Sequence, residues 1–121
     1  MKKAVITGLS VLLVLLMLIA MPVSAEAEGR PPEAESLEAR VRPGSGLIGR
    51  LSAADPDGDL AGYTVTTKPV RGELLVKEDG RFLYIPHISR GGWDYFGYRA
   101  FDAEGQFSQE ATVIIKIEKS K

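Results

Sequence analysis

From residue 41 onward, apolar side chains recur at every second position. Leu47, Leu51 and Ala53 share one side of a run, with Gly49 between them. Tyr63 and Val65 share another, with Ala61 before them, and Leu74 and Val76 a third. Phe82 and Tyr84 follow, then Phe96, Tyr98 and Ala100. Ala111, Val113, Ile115 and Ile117 close the series, alternating with Thr112, Lys116 and Glu118. A period of two over short runs marks strands with one buried face. Clusters of Gly, Pro and Asp separate the runs: residues 43–46, 55–59, 68–69, 79–80, 90–92 and 103–105. Gly supplies positive φ and Pro presets φ, so each cluster predicts a turn. Glu78-Asp79-Gly80 predicts a hairpin. About seven strands at about ten-residue spacing predict an all-β sandwich with Greek-key connections. Ile114 interrupts the polar side of the last run. That predicts partial cover there or a sticky face, and an exposed apolar edge would invite pairing with another chain.

The first 40 residues follow a different pattern. Met1-Lys2-Lys3 is basic, residues 4–21 carry no charge, and Pro22-Val23-Ser24-Ala25 ends in small residues. This order predicts a secretory signal peptide over 1–25, cleaved after Ala25. The alternative is an uncleaved membrane anchor, since about 18 apolar residues is near the lower limit for a bilayer span. Residues 26–40 are acidic, contain Pro31-Pro32 and hold few large apolar groups, so they read as an acidic linker. The sandwich domain is then expected over 41–121.

Charge and cysteine content narrow the function. The chain has 15 basic and 16 acidic residues and no Cys. Without Lys2 and Lys3 the acidic excess grows, which argues against nucleic acid as a partner. It also leaves no polybasic patch for anionic lipid, so membrane contact is expected only through an uncleaved leader. An exported chain without disulfides must be held by its core.

The candidate chemistry lies in two acidic turns, Asp55-Pro56-Asp57-Gly58-Asp59 and Asp102-Ala103-Glu104-Gly105. Calcium takes six to eight oxygen ligands, and Asp55, Asp57, Asp59, Asp102 and Glu104 could supply several of them if the fold joins the turns. The Asp-x-Asp-x-Asp spacing is not an EF-hand, because Leu60 stands where Gly is required and Thr66 where Glu is required. Asp, Pro and Gly at these positions also suit a type I turn with no metal. His87, the single histidine, reads as a solvent-facing loop residue, with no nucleophile-elbow motif to support a triad. No catalytic residue is expected. Trp93 and Tyr95 fall opposite Phe96 and Tyr98. They are either an exposed platform for a sugar or protein, or, the favoured reading for Trp93, a plug closing one end of the core. Asp94 is expected to bond turn backbone at the start of its strand.

Together these motifs resemble a known repeat. Ala54 to Asp59 followed by Tyr63 is an Asp-rich turn and a short Tyr strand. Pro69 and Gly72-Glu73-Leu74 come next, then Gly80-Arg81-Phe82-Leu83-Tyr84-Ile85-Pro86. Gly92-Trp93-Asp94-Tyr95-Phe96-Gly97-Tyr98 leads to Asp102, and residues 111–117 close the set. Over residues 46–118 this is similar to the cadherin-like, immunoglobulin-like repeat of bacterial surface proteins. The resemblance implies an exported, non-catalytic module for adhesion, spacing, or contact with protein or carbohydrate at the cell surface. It further implies a calcium site in which Asp55, Asp57 and Asp102 are the matching residues. The stretch Gly29-Arg30-Pro31-Pro32 lacks that family's Asp-Asn linker, so the implied site is a partial one.

Overall fold

The computed structural model describes residues 29–120. The expected signal peptide, 1–25, lies outside the described residues. The strands are β1 (Glu33–Ala34), β2 (Leu37–Val41), β3 (Leu47–Arg50), β4 (Ala53–Ala54), β5 (Leu60–Thr67), β6 (Gly72–Val76), β7 (Arg81–Pro86), β8 (Gly92–Asp102) and β9 (Ala111–Ile117). A four-stranded sheet runs β2-β9-β8-β5, and a three-stranded sheet runs β3-β7-β6. A short β1-β4 pair completes the set. The all-β sandwich expected from the period of two is the observed fold.

The two sheets meet through the inward side chains. Phe82 and Tyr84 of β7 face Phe96 and Tyr98 of β8, with Val113, Ile115 and Ile117 of β9 beside them, all buried. The Phe82 and Phe96 rings meet edge-on at 5.5 Å across the layers. Each such side chain removed from water contributes about 1.5–3 kcal/mol, so this layer supplies most of the cohesion of a chain with no disulfide. The β6–β7 hairpin closes as expected: Gly80 adopts φ 96°, and its amide donates to the Lys77 carbonyl at 2.9 Å.

The structure corrects four expectations. First, the segment 26–40, expected to be an acidic linker, contains part of the sandwich. Pro32 is buried, and β2 lies parallel to β9 with Leu37 opposite Val113 and Val41 opposite Ile117. Its inward Leu37, Ala39 and Val41 alternate with exposed Glu38 and Arg40, and those charges disguise the strand. Second, β9 is not an edge. β2 and β8 flank it, so Ile114 points outward from the middle of a sheet, 38% exposed. Third, Trp93 does not plug the core. It is 52% exposed on the outer face, with the Lys116 ammonium 5.6 Å from its ring centre. Fourth, Ala61 does not share the inward face of Tyr63. A register shift between Leu60 and Gly62 leaves Ala61 exposed, and Gly62 is covered by the Phe101 ring, 2.8 Å from where its β-carbon would stand.

Asp94 also differs in its partners. The alternation that buries Phe96 carries Asp94 inward with it, to 3% exposure. Its carboxylate accepts from the amides of Val70 and Arg71, at 3.1 and 2.9 Å, on the turn between β5 and β6. It also accepts from its own neighbour's amide, Tyr95, at 2.9 Å, and from the Tyr84 hydroxyl. A buried carboxylate is tolerable only with such a full set of donors.

Candidate metal centre

The topology joins the two acidic turns. The first leads into β5 and the second leaves β8, and β5 and β8 are antiparallel neighbours with Leu60 opposite Asp102. The Ala103 amide donates to the Asp59 carbonyl at 2.9 Å, tying one turn to the other. Each turn is closed locally. The Gly58 amide donates to the Asp55 carbonyl and the Gly105 amide to the Asp102 carbonyl, at 3.1 and 3.0 Å. Gly58 and Gly105 both hold positive φ, 72° and 84°, as turns of this kind favour.

All five carboxylates singled out in the sequence come together here. Asp55, Asp57 and Asp59 bring one oxygen each within 4.8 Å of one another. Asp59, Asp102 and Glu104 do the same, so Asp59 belongs to both groups. Local bonds use only part of their capacity. Asp55 Oδ1 accepts from the Asp57 amide at 3.1 Å. Asp102 Oδ1 accepts from the amides of Glu104 and Gln106, at 3.0 and 2.8 Å. Asp55 Oδ2, Asp59 Oδ1, Asp102 Oδ2 and Gln106 Oε1 are buried with no hydrogen-bond partner. Asp102 is only 2% exposed, so its second oxygen is directed into protein.

Buried oxygens without donors are costly, and several carboxylates in one place add repulsion. Asp59 registers both effects. Desolvation, then the adjoining Asp55 carboxylate and the charges of Asp55 and Asp102, hold its carboxyl above the usual aspartate value of 3.8. An oxygen-rich, anionic cluster with unfilled acceptors suits a hard cation such as calcium. Soft or nitrogen-seeking metals fit it poorly, since no Cys or His belongs to it.

Two contributions escaped the sequence reading. Gln106 donates its backbone amide to Asp102 Oδ1 and holds a buried side-chain oxygen without a hydrogen-bond partner, with no spacing signal to mark it. The other is the chain ahead of β1. The Arg30 amide donates to Asp57 Oδ2 at 2.5 Å. A β-carbon on Gly29 would stand 2.6 Å from Glu104 Oε1 and 2.7 Å from Asp57 Oδ2. Glycine therefore lets the backbone pass between a carboxylate of each turn. His87 is exposed in its loop, as expected.

The profile of the bacterial Ig domain matches residues 30–116. No curated protein matches the chain. Among solved structures, the SrpA adhesin of Streptococcus sanguinis superposes with a TM-score of 0.60 at 14% identity, covering 76% of this chain and 61% of that one. A second crystal structure of that adhesin gives 0.54 at 18% identity, covering 76% and 59%. A 2,6-sialyltransferase from a Photobacterium species gives 0.50 at 9% identity, over 70% of this chain but 17% of the enzyme. The chain thus spans about three-fifths of the adhesin structures. At these identities the likeness concerns the fold alone.

Proposed function

This chain belongs to the bacterial Ig domain family, and from that premise we propose that it is an exported, non-catalytic surface module whose acidic pole takes up calcium. The observation that carries the calcium reading is Asp59, shared by two carboxylate groups beside buried oxygens that lack donors. A divalent ion there offsets the repulsion, satisfies those oxygens and stiffens the pole where residues 29 and 30 enter. Asp55, Asp57, Asp59, Asp102 and Glu104 are the residues that would hold it. The known adhesin neighbours support a role in adhesion or spacing, with a protein or carbohydrate at the cell surface as partner.

Calorimetric titration of the protein with calcium tests the ion. One site with Kd of about 10⁻⁴–10⁻³ M is expected, lost in Asp59→Asn. Absence of saturable heat contradicts it. Export is tested by the intact mass of the protein recovered outside the cytoplasm, which should begin at Glu26. A mass that retains Met1 contradicts cleavage.

A further inference from the structure

The outer face of the β3-β7-β6 sheet is apolar where a solvated antiparallel sheet would be polar. Ile48, Leu83 and Leu75 form one cross-strand row over all three strands, since Leu83 is the register partner of both Ile48 and Leu75. Ile48 is 80% exposed and Leu75 62%. Ile85 extends the apolar band toward the next row, where it pairs with Glu73. On the opposite side of the band stand Arg50 and its register partner Arg81. Lys77 is beside them, its amide donating to the Arg81 carbonyl at 2.9 Å.

We propose that this face docks against the same face of a second copy of the chain. The argument is charge complementarity about the apolar row. Along β6 the outward residues read Glu73, Leu75, Lys77: an anion, an apolar centre and a cation. A two-fold axis lying along the Ile48–Leu83–Leu75 row sets each of these residues against its own counterpart and exchanges the flanks. Glu73 of one copy then meets Lys77 of the other, twice, while Leu75 meets Leu75. Neither Glu73 nor Lys77 forms an ion pair within the chain among the described residues, so both charges are available. Arg81 is already paired with Asp79 at 2.8 Å, which removes the cation that would otherwise crowd the centre. Such isologous contact is the common form of self-association. The acidic pole plays no part in it.

The absence of native Cys allows a direct test on the full chain. Ile48→Cys, Leu75→Cys and, as a control on another surface, Val70→Cys are treated with a short bis-maleimide. Covalent dimer from Ile48→Cys and Leu75→Cys, with little from Val70→Cys, is expected. No dimer from either overturns the proposal. Dimer from Leu75→Cys alone overturns it in favour of strand addition at the β6 edge, which would hold the two Ile48 positions far apart. Equal yield from Val70→Cys means random collision and overturns it too. In the Leu75→Cys background, Glu73→Lys alone and Lys77→Glu alone should each lose the dimer. Mixing those two variants should restore it as a heterodimer, because every flanking pair is then opposite in sign. Failure of the mixture to restore it contradicts the proposed axis.

Discussion

The Tyr84 hydroxyl donates to Asp94 Oδ2 at 2.6 Å, one partner on each sheet of the sandwich. Both residues are buried, and Asp94 also holds the turn at Val70 and Arg71. It is a buried polar clamp in a largely apolar interlayer contact, and its loss should be felt by the whole fold. Tyr84→Phe should destabilise the protein by about 1.5–3 kcal/mol in urea unfolding, the usual range for a hydrogen bond to a charged group. Burial, then the Asp94 bond and charge, raise the Tyr84 hydroxyl pKa well above its ordinary value of 10. A raised value means the contribution is complete below pH 10 and is lost only as pH climbs through the folded value. The deficit of Tyr84→Phe should therefore stay constant from neutral pH to about pH 10 and shrink above it.

Asp59 has the opposite consequence for stability. Its carboxyl is raised within the cluster, so its ionised form costs the folded state. That cost is absent below the usual value of 3.8 and grows as pH rises through the folded value. In calcium-free buffer, Asp59→Asn should melt above wild type at neutral pH. The gap should close as pH falls into the carboxylate range. A variant less stable than wild type at neutral pH would contradict the repulsion.

Asp102 separates turn support from ion binding. Its Oδ1 holds the amides of Glu104 and Gln106, whereas Oδ2 has no partner. Asp102→Ala should lose about 1.5–3 kcal/mol even without calcium, because both amides lose their acceptor. Asp102→Asn keeps an acceptor oxygen and should retain more of that stability, yet lose the calcium response. Thermal melts of the two variants with and without calcium distinguish the two effects.

Gly49 is required by packing. It sits opposite Phe82 in the β3–β7 register, and an added β-carbon would stand 2.5 Å from the buried ring. Gly49→Ala should cost about 1–3 kcal/mol in urea unfolding, the range for overpacking a core.

Much of this was legible from the sequence, and the rest was lost for identifiable reasons. Strands whose outward residues are turn-flanked and whose inward residues are aromatic, such as β7 and β8, declare themselves by alternation. β2 does not, because Glu38 and Arg40 give the segment the composition of a linker. Its stabilising partner, β9, lies more than 70 residues away. The inward position of Asp94 follows from the same alternation that buries Phe96, but its partners on the β5–β6 turn are set by topology. The five carboxylates were all visible as turn residues. Their convergence depends on β5 and β8 being neighbours, which the motif order suggested and the strand pairing provides. Gln106 and Gly29 carry no local signature at all. Gln106 matters because its turn folds back onto Asp102, and Gly29 because the fold brings it between Asp57 and Glu104.

The most direct measurement is the melting temperature of the protein in EGTA and in about 10 mM calcium. With Kd of about 10⁻⁴–10⁻³ M, mass action stabilises the native state by about 1.4–2.7 kcal/mol. For a domain of this size that predicts a rise of about 6–20 °C, absent in Asp59→Asn. An unchanged melting temperature in wild type, or an equal rise in Asp59→Asn, would contradict a calcium site at the acidic pole.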